Sequence, residues 1–161
     1  MSERRVRVSI SRQQLELFEG DRLLQSYAVS TARNGPGEQE GSGCTPRGRH
    51  CIRAKIGAGQ PLNAVFRGRR FTGEIYSQML ARTHPERDWI LTRILWLSGC
   101  EPGFNRLGMV DSMRRYIYIH GTPDTEPMGV ALSHGCIRMR NADVLDLFER
   151  VVTGTLVEID P

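Results

Sequence analysis

Apolar and polar positions alternate from the first residues onward. Val6, Val8 and Ile10 are separated by arginine and serine, the two-residue period of a strand, and Leu15 and Leu17 resume it after a short break. Glu19-Gly20-Asp21 marks a turn and Leu23 to Ser30 reads as a return strand, so the first thirty residues predict a hairpin or small meander. Asn34 to Gly48 is rich in glycine and proline and predicts a loop; Arg49 to Ile56 predicts another strand. Between 57 and 88 glycines interrupt every long element, leaving room for a short helix between Ile75 and Arg82. Ile90 to Leu97 is apolar enough for a buried strand, and Ser98 to Gly108 predicts a loop.

Arg115 to His120 predicts a strand with Tyr116, Tyr118 and His120 on one face and Ile117 and Ile119 on the other. Asn141 is a candidate cap for a helix running to about Val152, its apolar stripe made of Val144, Leu145, Phe148, Val151 and Val152. Thr155 to Ile159 predicts a closing strand. The pattern is mainly β, with many short strands, one convincing helix, and neither repeats nor a low-complexity tail.

The length, 161 residues, fits one domain with its own core. The net charge is +4, and Lys55 is the single lysine, so the positive charge is almost all arginine. That balance suits an acidic substrate. No stretch combines dense arginine with interleaved aromatics, which argues against a nucleic-acid partner. No apolar run approaches the ~18 residues of a membrane span. The charged start, Met1 to Arg5, is followed by alternation and not by the apolar core of a signal peptide, so the expected location is the cytoplasm; removal of a signal would make it the periplasm. Cys44, Cys51, Cys100 and Cys136 form no CxxC pair, and a reducing compartment predicts four free thiols. A Cys44–Cys51 bridge is the alternative in an oxidising one.

The segment richest in chemistry is His120-Gly121-Thr122 followed, ten residues on, by Ser133-His134-Gly135-Cys136-Ile137-Arg138. A thiol needs a neighbouring base to act as nucleophile at neutral pH, and His120 and His134 are candidates. Gly135 and Cys136 offer backbone N–H groups suited to an oxyanion hole. The competing readings are an inert buried cysteine with structural histidines, and a metal site using His120, His134 and Cys136, whose spacing matches no common zinc pattern.

HGT followed by SHGCIRM resembles the signature of the YkuD-type L,D-transpeptidases. Ser30-Thr31 and Thr45-Pro46-Arg47-Gly48 are similar to that family's conserved loop region, and the resemblance spans roughly residues 6–159. It implies a β-sandwich-like catalytic domain with few helices, one of them after the catalytic cysteine. Cys136 would be the nucleophile and His120 the base, oriented by the carbonyl of Gly121. Ser133 and His134 would shape the site, and Gly135 and Cys136 would form the oxyanion hole. Arg138 would pair with a substrate carboxylate or be structural. Tyr118 would line the cleft, and Tyr116 would pack in the core. The implied substrate is the peptidoglycan stem tetrapeptide, cut after its third residue with release of D-alanine, with no metal or organic cofactor.

Two acceptors fit such an acyl-enzyme: water, as in an L,D-carboxypeptidase trimming soluble muropeptides, or an amine, as in a crosslinking transpeptidase. A cytoplasmic location favours water. Outside that class stand a non-catalytic module that binds wall peptides and a redox or metal-binding thiol protein. The sequence is silent on oligomeric state.

Overall fold

The computed structural model describes residues 3–161; Met1 and Ser2, part of the charged start, lie outside the described residues. The opening alternation forms a meander of β1 (Arg4–Ser9), β2 (Gln14–Glu19) and β3 (Arg22–Ser30). Val6, Val8, Leu15 and Leu17 turn inward and are fully buried. Next come β4 (Gly48–Ile56), a hairpin of β5 (Ala64–Arg67) and β6 (Arg70–Ile75), and the short helix α1 (Gln78–Thr83). The long strand β7 (Ile90–Gly99) leads through a loop to β8 (Tyr118–Gly121), β9 (Ile137–Met139), α2 (Asn141–Arg150) and β10 (Leu156–Asp160).

All ten strands belong to one sheet in the order β4-β10-β1-β2-β3-β9-β8-β7-β5-β6. Because β4 also pairs with β7, the strands from β4 round to β7 close on themselves. The β5–β6 hairpin extends from the N-terminal end of β7, where Val65 and Phe66 face Leu91 and Ile90. Closure creates two facing walls around one core, built by the ring strands together with Val144, Leu147, Phe148 and Val151 from α2 and its end. A smaller cluster of Ala64, Phe66, Ile94 and Tyr118 lies outside it, with Trp96 and Cys136 packed against it.

Several expectations need correction. The strand expected over Arg115 to His120 begins only at Tyr118. Tyr116 takes a left-handed backbone, φ 57°, which breaks the extended run, and its ring is 51% exposed instead of in the core. Asn141 does not cap α2: the cap position is Arg140, and Asn141 is the first helical residue with its side chain buried. The helix ends at Arg150, so Val152 is exposed, and Leu147 fills the core position expected of Leu145. The loop expected from Ser98 starts after Gly99, because β7 continues two residues further to pair with β4.

Candidate active site

The strands β8 and β9 run parallel, with Ile119 opposite Ile137 and His120 opposite Arg138. Extending that register by one residue sets Cys136 beside Tyr118. Side chains alternate along a strand, so Cys136 and Arg138 share one face with Tyr118 and His120, while Ile119 and Ile137 enter the core. Cys136 and His120 are thereby diagonal neighbours on adjacent strands. Both open onto a cleft of about 530 Å³, together with Ser133, His134, Arg138, Asp88, Arg114, Arg115 and Tyr116.

His120 is 1% exposed, and its Nδ1 donates to the Gly121 carbonyl at 2.6 Å. A carbonyl only accepts, so the proton resides on Nδ1 and the Nε2 lone pair is left for chemistry. Among the described residues Nε2 has no hydrogen-bond partner. Burial lowers the imidazole's pKa from the ordinary histidine value; the Gly121 bond and Asp88 oppose this without cancelling it. The ring is neutral at neutral pH and able to take a proton.

The Cys136 thiol receives the Tyr118 N–H at 3.3 Å and approaches the Tyr116 carbonyl at 3.4 Å. Burial pushes the thiol up to about 11, against the Tyr118 N–H, which favours the thiolate. The resting pair is thus neutral thiol and neutral imidazole. The Gly135 N–H is taken by Ser133 Oγ at 3.2 Å. The Cys136 N–H makes no hydrogen bond to a described residue and is left as a free donor.

Ser133 shapes this segment: its Oγ donates to the Cys136 carbonyl at 2.6 Å while accepting from Gly135. Its backbone is bridged to Thr31 and Arg33. Thr45 donates to the Gly135 carbonyl at 2.8 Å and accepts from the Ala32 N–H at 3.0 Å. Ser30 donates to Val130 and accepts from Leu132. The paired motifs around residues 30 and 45 are therefore the cradle of the cysteine loop. Gly135 has φ 137°, and an added Cβ would press on the Cys44 carbonyl at 3.3 Å, so glycine is required there.

Residues 3–159 match the YkuD L,D-transpeptidase catalytic domain. The chain belongs to that family. The Bacillus licheniformis protein designated L,D-transpeptidase YkuD is 28% identical over 158 residues, which cover 98% of this chain and 66% of that protein. The Escherichia coli protein designated L,D-transpeptidase YbiS is 48% identical over 44 residues, 27% of this chain and 14% of its own length. Among solved structures, an L,D-transpeptidase from Xylanimonas cellulosilytica superposes with a TM-score of 0.62 at 18% identity, covering 98% of this chain and 60% of that one. L,D-transpeptidase 3 from Mycobacterium tuberculosis gives 0.61 at 15%, covering 99% and 62%. These structures share the mainly β fold. The chain spans less than two thirds of the length of these relatives.

Within this YkuD domain the remaining site residues are distributed as follows. Arg138 is 8% exposed and already held by Asp88 at 3.1 Å and by the Leu132 carbonyl at 3.4 Å. The same Asp88 reaches the exposed His134 ring at 3.4 Å. The Tyr118 ring does not line the cleft; it is 5% exposed in the outer cluster, and its hydroxyl accepts from Arg69 at 3.0 Å. What Tyr118 brings to the site is its backbone N–H. The metal reading finds no geometry, since among the described residues no three His, Cys, Asp or Glu side chains gather. The four cysteines are free. The thiol nearest Cys51 is Cys100, two residues past its β7 partner Ser98, whereas Cys44 Sγ turns to the Asn34 carbonyl at 3.5 Å.

Three contributors were not found from sequence. Asp88 lies fifty positions from its partner Arg138 in an ambiguous segment. Arg115 pins the wall of the cleft through the Gly37, Glu38 and Cys44 carbonyls at 3.3, 3.2 and 2.6 Å. Asn141 was read only as a cap. Its amide instead receives the Thr92 hydroxyl at 2.5 Å and donates to the Thr122 carbonyl at 2.9 Å, directly behind Gly121.

Proposed function

We propose that the chain catalyses cysteine-dependent acyl transfer on peptidoglycan stem tetrapeptides. The observation that supports this best is the pairing of Cys136 and His120 on one face of β8–β9, with Nδ1 of the base fixed by the Gly121 carbonyl. In the proposed reaction Sγ attacks the carbonyl carbon of the third residue as Nε2 of His120 takes the thiol proton. The Cys136 N–H meets the developing oxyanion. Collapse breaks the amide bond, and His120 returns the proton to the leaving amine of D-alanine. The thioester is then attacked by an acceptor whose proton His120 removes.

Water is the acceptor this reading favours, because hydrolysis requires only the residues already named. An amine acceptor needs a place that holds it against the thioester, since positioning supplies much of such a rate. A specific observation favours this second reading. A cavity of about 390 Å³, lined by Arg67, His84, Arg87 and Trp89 among others, shares the lining residue Asp88 with the cysteine cleft. Support also comes from the relatives, which are designated L,D-transpeptidases, and from the Mycobacterium tuberculosis L,D-transpeptidase 3 structure, which holds a faropenem-derived adduct.

The test is incubation with a purified disaccharide tetrapeptide, read by mass spectrometry. Tripeptide with free D-alanine means hydrolysis; dimers or exchanged D-amino acids mean transfer to an amine. An unchanged tetrapeptide contradicts the proposal.

A further inference from the structure

Stem peptides carry several carboxylates, and the arginines around the cysteine cleft divide into those already engaged and those free to meet one. Arg138 is held by Asp88 and Leu132, and Arg115 by the carbonyls of the 37–44 loop. Arg114 lines the cleft but is exposed, with its guanidinium unheld among the described residues. Arg69 differs from all three: it does not itself line the cleft but packs against Tyr116, which does. It stands in the two-residue turn between β5 and β6, where Gly68 and Arg69 have φ 54° and 64°. Its guanidinium carbon lies 4.9 Å from the centre of the Trp96 ring and 4.7 Å from that of Tyr116. One of its N–H groups donates to Tyr118 Oη at 3.0 Å. Among the described residues it has no carboxylate partner. Arg53, 5.5 Å from the same Trp96 ring, adds a second cation.

Two aromatic faces and a phenol hold a planar fork with five donors, only one of which is used inside the protein. A guanidinium clamped in this way gives up little freedom when it meets a carboxylate, and the pairing can be bidentate. The clamp is also tied to the nucleophile. Tyr118 donates its N–H to Cys136 Sγ and accepts from Arg69 at its other end. The Tyr116 carbonyl lies 3.4 Å from the same sulfur, and its half-exposed ring lines the cleft on one face of Arg69. Tyr116 adopts its left-handed backbone at this point, an unfavourable conformation for an aromatic residue.

We propose that Arg69, held over the adjoining Trp96 and Tyr116 rings at the edge of the Cys136 cleft, binds a carboxylate of the acyl-donor peptide. The proposal rests on the acyl-transfer reading above. The carboxylate can be that of the terminal D-residue, of the diamino acid side chain or of the glutamyl residue, and the experiment separates these sources.

The test compares wild type, Arg69→Gln and Arg69→Lys with the unmodified tetrapeptide and with three peptides, each amidated at one carboxylate. Release of the terminal D-residue gives kcat/KM. Calorimetry on the Cys136→Ala protein, with and without Arg69→Gln, gives binding alone. Alkylation of Cys136 by iodoacetamide, a neutral reagent with no carboxylate, reports the nucleophile without a stem peptide. Loss of a charged hydrogen bond predicts that Arg69→Gln lowers kcat/KM and affinity for the unmodified peptide ~10- to 100-fold. Amidation at one carboxylate should cause the same loss in wild type and no further loss in Arg69→Gln, while alkylation of Cys136 by iodoacetamide stays intact. Arg69→Lys, which keeps the charge without the fork, should fall between. Equal losses on all four peptides, or no loss of affinity, would overturn the assignment and leave Arg69 a purely structural cation. If no peptide is turned over by wild type, the acyl-transfer reading fails, and the calorimetric pair still decides whether Arg69 recognises a carboxylate. Absence of any binding to the Cys136→Ala protein overturns both.

Discussion

At the scale of single residues, the site depends on two groups held away from their ordinary protonation behaviour by the same burial. His120 resists protonation, so the base stays competent as pH falls through the ordinary histidine range near 6.5. Cys136 keeps its proton up to about pH 11. The acid limb of kcat/KM is therefore expected below 6.5, with a plateau from neutrality toward the thiol's range. The ultraviolet difference between the protein and Cys136→Ala should show no thiolate at pH 7 and a thiolate emerging near pH 11. An acid limb above 6.5, or thiolate absorbance at pH 7, would contradict this pairing of neutral groups. Replacing His120 by Ala should cost ~10²- to 10⁴-fold in kcat, the usual range for a general base. His84, partly exposed and paired with the neighbouring Glu86, lies outside the cysteine cleft, and His84→Ala should leave hydrolysis of the tetrapeptide near normal.

At the scale of elements, the first turn of α2 supports the base. Thr122 N–H donates to the Met139 carbonyl, which turns the Gly121 carbonyl of the same planar peptide toward His120. Asn141 then fixes the following carbonyl, and its Oδ1 lies where a Cβ on Gly121 would have to go, at 2.4 Å. Asn141→Ala would strand the Thr92 hydroxyl and the Thr122 carbonyl, a loss of ~1–3 kcal/mol in stability. Its expected kinetic signature is a fall in kcat with KM nearly unchanged; an unaltered kcat would show that the network supports only the fold. The meander, β4, the start of β7 and α2 were legible in the sequence because their apolar periods face one continuous core. The turn at Tyr116 was not, since nothing in an aromatic side chain announces a positive φ. The β5–β6 hairpin was obscured for a related reason: its turn uses Gly68-Arg69 in place of the more common Asn-Gly pair. The SHGC segment announced its chemistry, but its partners Asp88 and Arg115 come from distant loops that only the closed sheet brings together.

At the scale of the whole molecule, closure of the sheet through β4 and β7 places a histidine in the seam. His50 faces Gly99 of β7 and Val157 of β10, is fully buried, donates from Nδ1 to the Gly48 carbonyl and accepts from Ser112 at 2.8 Å. Burial lowers its pKa to about 4. The unfolded chain binds this proton more readily, so the stability present above 6.5 is lost as pH falls through about 4, by on the order of 3 kcal/mol. Urea unfolding between pH 7 and 4 should show this slope, and His50→Gln should reduce it, leaving the share of the buried His120; an unchanged slope in that variant would assign the acid sensitivity elsewhere. Among the described residues no helix is long and apolar enough to cross a membrane. The covalent step proposed for this architecture can be caught by peptide mapping of the protein quenched during turnover of a stem tetrapeptide. A tripeptidyl thioester is expected on Cys136, matched by released D-alanine and absent from Cys136→Ala. An adduct on Cys44, Cys51 or Cys100 in its place, or turnover surviving in Cys136→Ala, would contradict it.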